Sequence, residues 1–217
     1  MARLPRCFYE RYTPKVARAL LGCALVRVVD GQRLSGTIVE TEAYRGSKDP
    51  ASHAFRGRTK RNSIMFGEGG HAYVYFSYGF HWCLNMTTEP SGKPGAVLVR
   101  AVEPREGVEL MMRNRGLNSV EHLTDGPGKL TQALGIDFNL NGEDMVTSDR
   151  LFVEEGKDAR RIGSSARVGI RHGVEFRWRF FLKGSRSVSK ARPVVHAEPI
   201  TKARDEAKFV GSSASLV

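Results

Sequence analysis

The sequence has 217 residues and a formal net charge of +11 at pH 7, from 34 lysines and arginines against 23 aspartates and glutamates. This length fits one domain with its own hydrophobic core, and 41% hydrophobic residues are typical of a globular protein. We expect neither a membrane span nor a secretory signal, because no run of 18 apolar residues occurs and the start of the chain lacks an apolar stretch.

The excess of positive charge is concentrated in two stretches. Residues 53–62 contain four basic residues and no acidic one, and residues 157–192 contain eleven basic residues and two acidic ones. Such clusters favour a polyanionic partner, because each phosphate that is neutralised releases counterions. A basic face that serves only solubility has the same composition, so charge alone leaves both interpretations open.

The first part of the chain predicts a helix followed by a β-hairpin. Thr13 is a good helix N-cap, an apolar stripe follows it at helical spacing, and Gly22 ends the helix. Residues 23–29 and 34–42 are rich in strand-forming residues, and Asp30-Gly31 between them is a hairpin signal.

A long polar segment precedes a second hairpin. Residues 45–70 are polar and rich in glycine, and loops of this length are usually functional or disordered. Strands at 71–77 and 80–87 flank Tyr78-Gly79, which places Tyr78 near the hairpin tip. A further, mostly buried strand is predicted at 96–102.

The remaining sequence predicts short helices and strands. Pro104 is expected to begin a helix that runs towards Gly116, and a shorter helix is expected at residues 129–134. Three short strands are predicted, near 151–154, 166–170 and 177–183.

Strands that are adjacent in sequence and joined by hairpins form antiparallel sheets. We therefore predict a mixed α/β (α+β) fold, a single domain over residues 1–205. Peripheral helices would surround a largely antiparallel, curved sheet with a protruding aromatic hairpin. Residues 206–217 are expected to form a loose tail.

The second hairpin is rich in aromatic residues. Six of the ten residues from Tyr73 to Trp82 are aromatic, at both odd and even positions, although a half-buried strand directs only alternate side chains to the core. A strand buried on both faces is one interpretation. The other is a surface on which unstacked bases stack, with Tyr78 as a wedge between base pairs.

Two carboxylates two residues apart on a strand point to the same face. For Glu40 and Glu42 three interpretations are open. They could bind a metal ion together with His53, as in a nuclease. One of them could act as general base on a water molecule, or both could lie at a solvated strand end.

A set of short motifs occurs in the same order as in one known family. The motifs are Ile38-Val39-Glu40-Thr41-Glu42-Ala43-Tyr44, Ala51-Ser52-His53, Thr59-Lys60-Arg61-Asn62 with Met65-Phe66, Tyr73-Val74-Tyr75-Phe76-Ser77-Tyr78-Gly79 with Asn85, and the segments 97–104 and 126–134. From about Phe8 to about Ser189 the sequence resembles the alkyladenine (3-methyladenine) DNA glycosylase family. The combination is specific, although no single motif is.

The resemblance implies a monofunctional enzyme that flips an alkylated purine out of duplex DNA and hydrolyses its N-glycosidic bond, which starts base excision repair. Glu42 matches the general base that activates the attacking water. Arg100 matches the arginine that helps to place that water and a nearby phosphate. Tyr44, His53 and Tyr75 match the walls of the base pocket.

Further matches concern selectivity and DNA binding. Asn85 matches an asparagine that excludes guanine by crowding its amino group. Tyr78 matches the tyrosine that fills the gap left by the flipped nucleotide, and Met65, Thr59 and Arg61 fall among the implied DNA contacts.

The resemblance also implies what the enzyme does not need. We expect no metal ion, no cofactor, no membrane and no obligate protein partner; the partner is double-stranded DNA that contains damaged purines. No lysine is required as a Schiff-base nucleophile, so no lyase activity is expected. The vertebrate N-terminal extension is absent, which favours a bacterial-type, monomeric protein in the cytoplasm or nucleoid, or in the nucleus if the source is eukaryotic.

Small departures from the family pattern affect the pocket. The loop between His53 and Arg61 is one residue shorter than in vertebrate forms, and Lys60 replaces an expected proline. Such changes bear on whether deaminated, neutral purines such as hypoxanthine are accepted.

A metal-dependent nuclease and a non-catalytic nucleic-acid-binding module are the two rival interpretations.

Overall fold

The structure, a computed structural model, describes residues 1–77, 79–156, 159 and 161–190; Tyr78 and the predicted tail 206–217 lie outside them. The strands in these residues are β1 (Ala24–Val29), β2 (Gln32–Tyr44), β3 (Ala72–Ser77), β4 (His81–Thr88), β5 (Gly95–Glu106), β6 (Leu151–Glu154), β7 (Ile162–Ser165) and β8 (Arg179–Leu182). The helices are α1 (Arg6–Tyr9), α2 (Thr13–Ala19), α3 (Val108–Arg115) and α4 (Pro127–Ala133).

The sheet is organised around the long strand β2. The strand order is β3-β4-β5-β2-β1-β6, and β8 pairs with both β2 and β7, always antiparallel. One edge of β2 pairs with β5, while the other pairs with β1 through Gln32–Thr37 and with β8 through Glu40–Glu42. Register shifts flank Glu40 on the β5 side, and such irregularities bend and twist a strand. The two glutamates therefore lie where the sheet curves.

The predicted fold class is confirmed: the protein is a single mixed α/β domain with a curved antiparallel sheet and peripheral helices. One large hydrophobic core joins the helices to the sheet; Leu20, Leu34, Leu84, Val99 and Leu130 are among its fully buried members. None of the helices in the described ranges is long and apolar enough to cross a membrane. Protrusion of the β3–β4 hairpin stays a prediction.

The predicted helix start at Pro104 is wrong. Strand β5 continues through Pro104 to Glu106, and α3 begins at Val108 after Gly107, which has a φ of +70°. Pro104 is paired with Gly36 next to a register shift. A residue without an N–H group is tolerated at such an irregularity, and the long pairing with β2 therefore overrides the local helix signal.

Thr13 does not cap a helix as predicted. It is the first residue of α2, and its backbone N–H and its hydroxyl both donate to Oε1 of Glu89 at 2.8 Å. The short helix α1 before it was not predicted.

The predicted strand at 166–170 is also wrong, because β7 ends at Ser165. The chain then leaves the sheet: Arg167 turns inwards to pair with Asp49, and Gly169 has a φ of +72°. The predictions of strands near 151–154 and 177–183 are confirmed by β6 and β8.

Candidate active site

The β3–β4 hairpin forms one wall of a cavity of about 500 Å³. Three cross-strand pairs line this cavity: Tyr73–Asn85, Tyr75–Cys83 and Ser77–His81. Of the two intervening pairs, Val74–Leu84 is buried in the core. The other, Phe76–Trp82, lies nearer the tip with its rings 4.8 Å apart, and Phe76 is 47% exposed. The hairpin is therefore not a strand pair buried on both faces. One set of its side chains lines a cavity, and the other set is buried at Val74 and Leu84 but partly open to solvent at Phe76 and Trp82.

Tyr73, Tyr75 and His53 form an aromatic surface inside the cavity. The His53 ring lies edge-on to Tyr75 with centroids 4.6 Å apart, and its Nδ1 is 2.9 Å from Oη of Tyr73. Loss of solvent around the ring and, secondly, the charge of Arg61 hold the pKa of His53 below 6.5. The imidazole is therefore neutral at pH 7 and does not repel a cationic ligand.

Glu42 is completely buried directly behind the cavity wall. Its Oε1 accepts a hydrogen bond from the Val168 backbone N–H at 2.7 Å, and its Oε2 accepts one from the Tyr44 hydroxyl at 2.8 Å and one from Nη1 of Arg100 at 3.4 Å. All three donor residues line the cavity. The interpretation of a solvated strand end is therefore wrong, and three converging donors suit an ionised carboxylate.

Glu40 is equally buried but is surrounded by structural partners. Its Oε1 accepts hydrogen bonds from Nε of Arg100 at 2.8 Å, Nε of Arg179 at 2.7 Å and the Ser189 hydroxyl at 2.9 Å. The Ser189 backbone N–H donates to Oε2 at 2.7 Å. Burial alone would lower the pKa of Arg100. The negative charges of Glu42 and Glu40 have the larger effect, so the pKa of Arg100 is raised. Arg100 thus bridges the two glutamates.

The alternative metal site requires Glu40, Glu42 and His53 to converge. In the described ranges no group of three or more histidine, cysteine, aspartate or glutamate side chains is placed to hold a metal ion. The carboxylates of Glu40 and Glu42 instead accept hydrogen bonds from arginines and backbone N–H groups.

Asn85 and Met65 are buried residues that line the cavity. Asn85 is 3% exposed, and its Nδ2 donates to the carbonyl oxygen of Tyr73 at 3.2 Å, which fixes the orientation of the amide. Met65 is 1% exposed and packs in a small cluster with Ala54 and Ala96. Its predicted contact with DNA stays a prediction.

Thr59 and Arg61 lie on the exposed loop beside the cavity. The Thr59 backbone N–H donates to Oδ1 of Asn62 at 2.6 Å, so Thr59 helps to shape this loop, but it does not line the cavity. Arg61 does line it, with its guanidinium 5.0 Å from the ring centroid of Tyr75. Tyr78, the predicted wedge, lies in none of the described ranges.

The opposite wall was not predicted from the sequence. It consists of residues 168–172, which follow Arg167. Arg167 is 1% exposed, and its guanidinium lies 4.7 Å from the ring centroid of Tyr44. Burial and then Glu42 raise the pKa of Tyr44 well above its ordinary value, so its hydroxyl remains a donor at neutral pH. The only signal in the sequence was the basic stretch 157–192.

Comparison with known proteins gives consistent matches. Residues 7–186 match the model of the methylpurine-DNA glycosylase family. A relative from Carboxydothermus hydrogenoformans, named "Putative 3-methyladenine DNA glycosylase", is 48% identical over 189 residues, which cover 86% of this chain and 98% of the relative. A protein of the same name from Methanocella arvoryzae is 48% identical over 197 residues, 89% of this chain and 98% of the relative.

A third protein of that name, from Desulfitobacterium hafniense, is 47% identical over 201 residues, 87% of this chain and 99% of the relative. The resemblance seen in the sequence is confirmed by these matches. DNA glycosylases are hydrolases of N-glycosyl bonds that act on DNA. The chain belongs to the methylpurine-DNA glycosylase family.

Proposed function

We propose that this protein removes alkylated purines from double-stranded DNA by hydrolysing their N-glycosidic bond with a water molecule activated by Glu42, and so starts base excision repair. The observation that carries the proposal is a fully buried carboxylate whose three hydrogen-bond donors all line one cavity. The volume of about 500 Å³ lies within the range of small-molecule pockets.

The cavity walls suit an electron-poor base. A purine alkylated at N3 or N7 is cationic, and the faces of Tyr44 and Tyr75 attract a cation. His53 completes the aromatic surface in its neutral form. A base reaches such a cavity only after its nucleotide has left the stack, which costs a few kcal/mol and less for a damaged base.

The chemistry needs one base and no acid. Glu42 takes a proton from water, the water oxygen forms a bond to C1′ of the deoxyribose, and the C1′–N bond breaks with its electron pair going to the purine. A cationic purine leaves as a neutral molecule. Arg100 helps to place the water, and the Glu42 carboxylate supports the positive charge that develops on the sugar. No lysine forms a Schiff base, so the DNA strand stays intact.

The direct test is base release from methylated duplex DNA. We expect free 3-methyladenine, an abasic strand that breaks only after treatment with alkali, and the same rate with and without EDTA. Activity lost in EDTA would support a metal-dependent nuclease. Tight, salt-dependent binding without abasic product would support a binding module, and cleavage without alkali would contradict the monofunctional reaction.

Deaminated purines form a second substrate class for the same site. Hypoxanthine is neutral, so it gains less from the tyrosine faces and is a poorer leaving group than a cationic base. We expect slower excision of hypoxanthine than of 3-methyladenine, measured at saturating enzyme in the same duplex sequence.

A further inference from the structure

The mouth of the cavity carries basic side chains that the chemistry above does not use. Arg171 and His172 are exposed and line the cavity, as does Arg61. The lining contains no aspartate or glutamate. Within the described part of the chain, the side chains of Arg171 and His172 make no hydrogen bond or ion pair. Both are therefore available to a ligand from outside.

The segment that presents Arg171 is anchored at both ends. Arg167 pairs through both Nη atoms with Asp49, and its Nη2 also donates to the carbonyl oxygen of Gly173 at 3.3 Å. Between these points the Val168 N–H donates to Glu42. Residues 168–172 are thus fixed beside Glu42, which lowers the entropic cost of ordering them when a ligand binds.

Three other arginines of the basic stretch 157–192 have partners within the protein. Arg167 and Arg179 are buried in ion pairs with carboxylates, and Arg177 donates to a backbone carbonyl. Among the lysines and arginines of this stretch that the structure describes, Arg171 is the one that lines the cavity. The stretch is therefore not a uniform DNA-binding face. Of its described lysines and arginines, Arg171 is the one that places a positive charge at the cavity.

We propose that Arg171, with His172 beside it, binds a backbone phosphate of the DNA strand that carries the damaged nucleotide. This inference rests on the proposed function, because a nucleotide whose base occupies the cavity leaves its flanking phosphates at the mouth. A mouth lined by cations and no carboxylate complements a phosphate, and arginine binds it through charge-assisted hydrogen bonds. Such a contact supplies grip and orientation but no choice of base.

The test compares Arg171→Ala with Arg186→Ala and Arg171→Lys. Arg186 is exposed and belongs to the same stretch, but it does not line the cavity. Binding is measured on a duplex with a stable abasic-site analogue between 50 and 200 mM salt. One phosphate contact contributes about 0.9 to the slope of log affinity against log salt. The affinity advantage of the wild type over Arg171→Ala should therefore shrink about 3.5-fold across this range.

Arg186→Ala and Arg171→Lys should keep the wild-type slope, since lysine retains the charge. Equal slopes for the wild type and Arg171→Ala overturn the proposal, and so does an equal loss of slope in Arg186→Ala. The proposed function is tested separately. Suppose that the wild type released no 3-methyladenine, while Arg171→Ala still reduced the slope of log affinity against log salt by about 0.9. The phosphate contact would then be supported, and the assigned reaction would be wrong.

Discussion

Arg167 and Asp49, 118 residues apart, form a completely buried ion pair that joins the two sides of the cavity. Arg167 directly precedes residues 168–172, which form one wall. Asp49 accepts hydrogen bonds from the backbone N–H groups of Arg45 and Ala51, both at 3.1 Å, and so fixes the loop that leads to His53. One ion pair thus connects two distant segments of the chain that both contribute to the cavity.

The first prediction concerns this ion pair. Arg167→Met leaves the Asp49 carboxylate buried without its partner, and we expect the free energy of unfolding in urea to fall by about 3–5 kcal/mol. The double variant Arg167→Met with Asp49→Asn removes the orphaned charge and should lose less than the sum of the two single variants. A loss of under about 1 kcal/mol for Arg167→Met would show that the pair does not hold the walls.

The second prediction concerns the pKa of His53. Two effects lower this pKa, burial of the ring and, less strongly, the charge of Arg61. Arg61→Gln removes only the second effect, so the pKa should rise towards 6.5 without reaching it. Proton NMR titration of the imidazole measures this shift. A histidine whose pKa is lowered by folding stabilises the fold above its unfolded pKa, and this stability is lost as the pH falls through 6.5 towards the folded value. A pKa that falls in Arg61→Gln would contradict the assigned cause.

The third prediction concerns selectivity. Asn85 is held by its hydrogen bond to Tyr73, and we expect its amide to crowd the amino group of guanine. Asn85→Ser should raise the rate of excision of 7-methylguanine relative to 3-methyladenine by about tenfold. This is the size of effect expected when one side chain in a pocket no longer crowds a substrate group. The ratio is measured with both lesions in competition. An unchanged ratio would remove Asn85 from the account of selectivity.

The fourth prediction concerns the wedge. Tyr78→Ser should slow excision from duplex DNA by about tenfold, because one base–aromatic stack contributes about 1–3 kcal/mol. Excision from a single strand should change little, since no gap needs filling there. Phe80→Ser is the matched control, because Phe80 is a neighbouring aromatic residue that is 86% exposed. An equal loss on single-stranded DNA would refute the wedge.

Local signals predicted the elements that depend on neighbouring residues. The turn at Asp30-Gly31, where both residues have positive φ, joins β1 and β2 as expected. The aromatic run of β3 and β4 indicated a surface with a role beyond the core, and the cavity explains it. The proposed catalytic and pocket residues came from the family resemblance, because two glutamates alone allowed three interpretations.

Long-range pairing decided what the sequence could not predict. Pro104 carries a helix signal, but the ladder to β2 keeps it in a strand. Charge patterning does not distinguish a buried arginine from an exposed one, so Arg167 and Arg171 look alike in the sequence. Only the position of Asp49 in the fold separates them: it draws Arg167 into the interior and leaves Arg171 at the mouth.

In the proposed mechanism, Glu42 activates the attacking water. Glu40 provides the matched control, because it is equally buried and also binds Arg100, but its other partners, Arg179 and Ser189, do not line the cavity. We therefore expect Glu40→Gln to lose activity only to the extent that Arg100 is misplaced.

The most direct measurement is the single-turnover rate of 3-methyladenine release from methylated duplex DNA by the wild type, Glu42→Gln and Glu40→Gln, each shown to be folded and to bind DNA. The proposed mechanism predicts that Glu42→Gln is slower than the wild type by about 10²–10⁴-fold, the range for loss of a general base. The rate of Glu40→Gln should be reduced clearly less than that of Glu42→Gln. Equal rates for Glu42→Gln and the wild type would contradict the account.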